Sequence, residues 1–417
     1  MIITDGTTVS LTTMKYFRFI KLSLPGTGAF VQNSSIMKDR PLLNRRNFIR
    51  LAAVAGTVTL AEGIAGRPGD FGKITSYPES IGSDPQFKPV KVSADRVIKT
   101  AVGLRPYRPS GFVIRTEKAG DKLLVHNYGH GGAGVSLSWG TARIAVENVL
   151  KSDIKNIAVA GCGIIGLSTA LLLQSKGYNV KIYTREYPAD TTSFVAGALW
   201  GPVGVYEEKK TSPEFLQQFY RASGVSQRIF KDFEGDKYGI SWIKNYSLGK
   251  PFNFPGGKDL YSGFREYQDG VFLFGFNNVQ EVDNLLIDMP VYMKALLEDF
   301  YSQGGKTETR NFNSIKDFAL LPEQIIMNCT GLGAGKLLND KELIPVKGQL
   351  SILMPQPEIN YSYMAVSEGK FLYMLPRKDG IILGGTSEKG SWSLEPDERE
   401  TERILKGHAA IAASLKA

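Results

Sequence analysis

Histidine and cysteine are almost missing from this chain of 417 residues, which has three of the first and two of the second. Two cysteines, Cys162 and Cys329, exclude a disulfide framework; both fall in candidate nucleotide-binding segments and read as small buried hydrophobes. His126 and His130 stand four apart, a spacing that presents two metal ligands on a helix, but glycines surround His130 and only His408 remains. No metal is expected, and both histidines read as orienting loop backbone through hydrogen bonds. No run of 18 or more apolar residues follows the N-terminal region, so no membrane insertion of the mature chain is expected. The body also lacks a basic excess. Of the net charge of +9, residues 1–76 supply six through ten Lys/Arg against four Asp/Glu, leaving +3. A nucleic-acid partner is therefore not indicated. What the chain has is 42% hydrophobic residues and 45 glycines, enough for a large core split over two domains.

The glycines concentrate in two places. One is Gly161-Cys162-Gly163-Ile164-Ile165-Gly166, with the apolar run Ile157–Ala160 before it, Leu167–Gln174 after it, and a further strand pattern at Asn179–Tyr183. Strand, glycine turn and helix in that order form a dinucleotide-binding fingerprint. Gly161 makes the tight turn, Gly163 lets backbone approach a pyrophosphate, and Gly166 allows close helix–strand packing. The phosphates then meet unpaired N–H groups at the positive end of the helix. Glu186 lies where an acid would accept from a ribose hydroxyl; Arg185 before it leaves a 2′-phosphate open.

The second place precedes the first. Val102 to Arg115 alternates like one strand, with prolines restricting it to an edge or bulge. After a charged turn, Leu123–Tyr128 runs into Gly129-His130-Gly131-Gly132-Ala133-Gly134 and then Val135-Ser136 to Gly140. A strand entering a glycine turn and a helix N-terminus puts positive partial charge at the turn. This element reads as the end of a nucleotide-binding fold, yet it comes before the element that starts one.

The N-terminal segment has its own pattern. Residues 1–66 contain Asn44-Arg45-Arg46-Asn47-Phe48-Ile49-Arg50 followed by the short apolar stretch Leu51–Ala61. A basic region before a stretch too short to span a bilayer reads as an export signal. The paired arginines with Phe48 resemble a twin-arginine signal, which places the protein in the periplasm or outside. A chance Arg-Arg before a buried helix would leave it cytoplasmic. No A-x-A cleavage site is clear, and Met37 makes a better start than Met1.

The residues from about 95 onward resemble the D-amino-acid oxidase family of FAD enzymes. The resemblance rests on Arg105-Pro106-Tyr107-Arg108-Pro109, Asn127–Gly134 with Trp139-Gly140, the glycine fingerprint, Thr191-Thr192 through Ala196-Gly197-Ala198-Leu199-Trp200, Asn328-Cys329-Thr330-Gly331, and Tyr373–Pro376 with Gly384-Gly385-Thr386 and Trp392. It implies an α/β fold: a Rossmann-like FAD-binding domain plus a second α+β substrate domain on a mixed or antiparallel sheet. The family ends with the arginine strand and glycine loop, so this chain reads as circularly permuted, with Ala142–Lys155 the new joint and a misassembled gene the alternative. The permutation requires residues 110–115 to lie in the sheet served by 345–386. The domain reading is a leader 1–66, a linker 67–94, FAD-binding 95–205, substrate domain 206–282, FAD-binding 283–344, and substrate domain 345–417 with a terminal helix from Asp397 to Leu415. Aromatics such as Tyr238, Trp242, Tyr246, Phe252 and Phe254 go to the substrate domain, mostly as core.

The resemblance also implies an activity: oxidation of a D-amino acid by hydride transfer to flavin N5, with O2 or another acceptor. Arg108 matches the arginine that holds the substrate carboxylate, Tyr373 a tyrosine that shares it, and Gly132 a carbonyl that receives the ammonium. FAD falls to Gly161, Gly163, Ile164, Ile165, Gly166, Glu186, Thr191, Thr192, Gly197, Leu199, Gly131, Gly132, Gly134, Val135, Ser136, Thr330 and Gly331. Two departures, Gly369 and Ala133 at family aromatic positions, are expected to widen the pocket. Arg265, Arg377 and Lys378 are candidates for added charge, which leaves acidic substrates open. A homodimer is compatible with the pattern. The competing readings are a glycine or sarcosine oxidase, a quinone-linked dehydrogenase, a non-catalytic flavoprotein and an NAD-dependent dehydrogenase; the last leaves all motifs but the fingerprint idle.

Overall fold

The computed structural model describes residues 87–150, 152–267, 274–367 and 369–415. The leader, its paired arginines and most of the 67–94 linker lie outside those residues. In chain order the strands are β1 (Val97–Tyr107), β2 (Val113–Ala119), β3 (Lys122–Tyr128), β4 (Asn156–Ala160), β5 (Asn179–Thr184), β6 (Ile240–Leu248), β7 (Ser262–Tyr267), β8 (Val279–Ile287), β9 (Lys306–Thr309), β10 (Ile325–Asn328), β11 (Ile344–Leu353), β12 (Tyr361–Ser367), β13 (Lys370–Arg377), β14 (Gly380–Gly384) and β15 (Glu388–Lys389). They form two sheets, ordered β2-β3-β10-β4-β5-β9 and β1-β11-β14-β13-β12-β6-β8-β7, with β15 paired to β11.

In the first sheet β3, β10, β4, β5 and β9 are parallel, and only β2 runs antiparallel, as a hairpin with β3. Ile157 to Ala160 are buried without alternation because both faces of β4 are covered. On one face pack the helices Gly134–Glu147, Ile164–Ser175 and Met289–Ser302, through Trp139, Leu167, Leu171, Tyr292 and Leu296. On the other, Leu124, Ala158 and Tyr183 meet Phe318 and Leu337. The second sheet is antiparallel except where β12 pairs with β6. Its outer face is closed by the helix Glu398–Ser414, which inserts Ile404 and Ile411. Asp397 starts that helix by accepting from the Arg399 N–H at 2.9 Å.

The segment read as one strand from Val102 to Arg115 is two strands in different sheets. β1 pairs with β11 in the second sheet, Leu104 opposite Lys347, and β2 lies in the first, Val113 opposite Tyr128. Pro109 removes a ladder donor, and Gly111 holds φ +91°, so the chain turns between them. Residues 113–115 are thus not in the sheet of 345–386, and Val97–Tyr107, grouped above with the FAD-binding segments, is. The aromatics divide too: Tyr246 packs in the second sheet, whereas Tyr238 joins the helices on the first.

Candidate functional site

A cavity of about 1670 Å³ opens at the carboxyl ends of β4, β10 and β3 and runs to the inner face of the second sheet. That position, outside the carboxyl ends of parallel strands, is where open α/β sheets bind ligands. The volume exceeds the roughly 300–1,000 Å³ of a drug-sized site.

At its nucleotide end the three glycines behave as their spacing demands. Gly161 holds φ +111°, and a Cβ there would stand 2.4 Å from the Cys329 carbonyl oxygen. A Cβ on Gly166 would stand 2.0 Å from the Gly161 carbonyl oxygen, so helix and turn touch through backbone. Gly163, Ile164 and Ile165 line the cavity, and the residue before the helix they start, Gly163, has no side chain to cap it. The positive end of that helix therefore lies at the cavity wall, where the Ile164 N–H donates to Ser193 Oγ at 3.1 Å. Glu186 also lines the cavity, with its Oε1 taking Nε and Nη2 of Arg185 at 2.9 and 2.6 Å.

The glycine loop forms the next wall. Gly131, Gly132, Gly134, Val135 and Ser136 line the cavity, and the Gly132 N–H donates to the Gly204 carbonyl at 3.1 Å. The helix Gly134–Glu147 begins here, again without a side-chain cap. Facing it, Thr191, Thr192, Gly197 and Leu199 line the cavity, as do Thr330 and Gly331. Within that loop Ala198 holds φ +63°, a conformation β-carbon residues rarely adopt. Strand-like contacts hold it there: the Ile287 N–H donates to the Ala198 carbonyl at 2.9 Å, and the Trp200 N–H to that of Leu285 at 2.8 Å.

Two buried polar groups that line the cavity have no partner among the described residues. They are both amide atoms of Asn127 and the indole N–H of Trp200. A buried unpaired amide is costly, so these atoms mark where a polar ligand is received.

At the far end the arginine is not the expected one. Arg108 does not line the cavity. Its Nε donates to Asp340 at 2.8 Å, its Nη2 to Glu342 at 2.6 Å, and its Nη1 to Ser110 Oγ and the Gly111 carbonyl. The chain turn after β1 sends it to this ion-pair cluster with every donor face engaged. Arg105, three residues earlier and still on β1, lines the cavity instead. Among the described residues no carboxylate pairs with it; its Nη1 reaches the Thr386 carbonyl at 3.3 Å. Tyr373 lies beside it: burial raises the phenol above its usual range, and the Arg105 guanidinium offsets part of the rise.

A family model described as FAD dependent oxidoreductase matches residues 156–248 and 282–415, more than half of the chain. The chain belongs to this family. Its relatives include a D-amino-acid oxidase of Rubrobacter xylanophilus, 28% identical over 271 residues, or 63% of this chain and 79% of that protein. A D-amino-acid oxidase of Streptomyces coelicolor is 31% identical over 273 residues, covering 61% and 77%. A D-aspartate oxidase of Homo sapiens is 27% identical over 281 residues, covering 63% and 77%. Among solved structures, glycine oxidase from Geobacillus kaustophilus is similar over 62% of this chain and 78% of that one, with a TM-score of 0.49 and 15% identity.

The residues present fit FAD. The Gly161 turn with its uncapped helix would hold the pyrophosphate, the start of Gly134–Glu147 would face the electron-rich edge of the ring system, and Asn127 and Trp200 supply the unpaired polar atoms. Gly166 serves by packing rather than contact.

Other expectations are corrected by the same geometry. Ala133 is buried with Phe112, Leu137 and Phe215 and does not line the cavity, so only Gly369, at the β12–β13 turn, leaves it open. Arg377 is bound to Asp379 and Lys378 to Asp236; neither they nor Arg265 line it. The histidines bond side chains rather than loop backbone: His130 Nε2 lies 3.1 Å from Thr141 Oγ1, and His126 Nδ1 3.0 Å from Asn328 Nδ2. Arg105, Asn127, Ser193 and Arg310 line the cavity and went unassigned, and Phe252, read with the aromatics that are mostly core, lines it too. A signal for Arg105 existed: in a period-2 strand Gly103, Arg105 and Tyr107 share a face.

Proposed function

We propose that this FAD-dependent oxidoreductase oxidises a D-amino acid, with O2 as acceptor, to a 2-oxo acid, ammonia and H2O2. The observation that carries the reading is Arg105, a cavity arginine with no carboxylate of its own, beside the Tyr373 hydroxyl. A planar guanidinium donates two parallel hydrogen bonds to a carboxylate, and Tyr373 would add a third. The Gly132 carbonyl, on a residue that lines the same cavity beside Arg105, would accept from the substrate ammonium. FAD, when bound, would supply the hydride acceptor for Cα; the ammonium first gives a proton to water, and the iminium left behind is hydrolysed by water to the 2-oxo acid and ammonia. The work of these residues is orientation, holding Cα and its hydrogen towards the ring. The D-configuration is supported by the relatives named D-amino-acid oxidases.

Anaerobic bleaching of the purified flavoprotein by D- and L-amino acids, glycine and sarcosine tests this, followed by air and a peroxide assay. Bleaching by D-amino acids with peroxide on re-aeration is expected. Bleaching by glycine or sarcosine alone selects the amine-oxidase reading, bleaching without reoxidation by air a quinone-linked enzyme, and no bleaching a non-catalytic flavoprotein.

We also infer that the chain is circularly permuted. The requirement placed on residues 110–115 is not met, and the support comes from elsewhere. β1 pairs with β11 over its length, β3 lies parallel beside β10, and both precede the family-matched residues 156–248 and 282–415. Phe87, Val90 and Val92 pack in one cluster with Ile411 and Leu415, so the two ends of this body can be joined. A rearranged gene running 156–415 and then 87–150 should give a folded yellow protein; a colourless or insoluble product would count against the permutation. The export signal is a proposal too, tested by fractionating cells that express the chain with Arg45 and Arg46 changed to lysine.

A further inference from the structure

Arg105 and Tyr373 come from strands that do not touch. In the order β1-β11-β14-β13, Arg105 stands on β1 and Tyr373 on β13, with β11 and β14 between them. Strands are about 4.8 Å apart, so the two side chains must cross two inner strands to approach each other. Anything larger than hydrogen on those strands at the crossing points would stand in the way.

At both crossing points there is glycine. A Cβ on Gly348 of β11 would lie 2.2 Å from Arg105 Nη2 and 2.5 Å from its Cζ. A Cβ on Gly384 of β14 would lie 2.1 Å from Tyr373 Cζ and 2.5 Å from its hydroxyl. Neither glycine is needed by the backbone, because neither has positive φ. Glycine in a strand interior weakens the strand and marks a close approach by another group. Here the approaching groups are the tips of two side chains in the cavity. A tip can move where backbone cannot, so an added methyl should displace the tip and leave the sheet intact.

We propose that Gly348 and Gly384 are positioning residues for the substrate carboxylate: their missing side chains form the groove through which the Arg105 guanidinium and the Tyr373 hydroxyl converge. The inference rests on the carboxylate reading of the cavity. Each glycine acts through its partner, Gly348 through Arg105 and Gly384 through Tyr373.

The test uses the FAD-loaded protein and benzoate, a monocarboxylate, titrated against the flavin absorbance, together with KM and kcat for the best D-amino acid. Gly348→Ala should keep its flavin and melting temperature, raise the benzoate Kd and the substrate KM at least tenfold, and change kcat less than threefold. In an Arg105→Ala background the same substitution should add less than twofold, since the group it displaces is gone. Gly224→Ala, in the helix Pro213–Asp232 with nothing within 4 Å of its Cβ, should match wild type. A folded Gly348→Ala protein with wild-type benzoate affinity, or factors that multiply in the double variant, would overturn the proposal. If Gly348→Ala does not fold, Gly384→Ala alone and with Tyr373→Phe decides by the same criteria. If both glycine variants lose their flavin, the glycines serve the fold and the proposal is wrong. A wild-type protein that neither binds benzoate nor is bleached by any amino acid overturns the functional reading itself and this inference with it.

Discussion

Arg108 Nε donates to Asp340 Oδ2 at 2.8 Å, and the Tyr128 hydroxyl donates to the same oxygen at 2.9 Å. This arginine is therefore a structural tie between the turn after β1 and the loop before β11. Arg108→Ala should cost about 1.5–3 kcal/mol of stability, the scale for hydrogen bonds to charged groups in a partly buried cluster, with the substrate KM within threefold of wild type. Arg105→Ala should do the reverse, raising KM a hundredfold or more at near-native stability. Urea melts and steady-state kinetics on both variants check the exchange of roles, and a large KM increase in Arg108→Ala would refute it.

Burial pushes both His130 and His408 down to about 3, and it lowers His126 as well. These groups stay neutral in the folded chain while the unfolded chain takes up protons near pH 6.5. The stability that neutral His130 and His408 allow is full above pH 6.5 and is lost as pH falls towards 3, at roughly 1.4 kcal/mol per pH unit for each of the two. Denaturant midpoints between pH 7 and 5 should fall, and His408→Gln should flatten the slope. An unchanged slope in that variant would exclude His408 as a contributor.

The Trp139 indole N–H donates to the Tyr292 hydroxyl at 2.7 Å, tying the helix Gly134–Glu147 to Met289–Ser302. Tyr292→Phe strands a buried donor and should cost about 1–3 kcal/mol, read from the denaturation midpoint. No loss would mean that water replaces the hydroxyl.

Gly161→Ala would combine a strained φ with a 2.4 Å approach to the Cys329 carbonyl oxygen. The variant should leave gel filtration without its flavin absorbance, or with FAD affinity lowered at least a hundredfold. Retained flavin would show that the turn is more pliable than its geometry suggests.

Local patterns in the sequence placed β4, the helix Ile164–Ser175, β5 and the terminal helix to within a few residues, because each combines strong periodicity with glycine or cap signals. The nucleotide end of the cavity was legible for the same reason: its chemistry is backbone, and backbone is announced by glycine. The substrate end was not. Arg105 and Arg108 carry the same side chain three positions apart, and only the turn at Pro109–Gly111 decides which one enters the cavity. Ala133 lies among cavity residues in sequence, yet its side chain joins Phe112 and Phe215. Which face a side chain takes is settled by partners hundreds of residues away.

The pairing of β1 with β11 sets a condition on synthesis. Leu104 faces Lys347, 243 residues further along the chain. At about 5–20 residues per second, roughly 12–50 s pass between the emergence of the two strands. Through that interval β1 is an open edge with its hydrogen-bonding groups unclaimed. The arginine that would grip the substrate is thus among the first residues of the folded body to be made and among the last to reach its place.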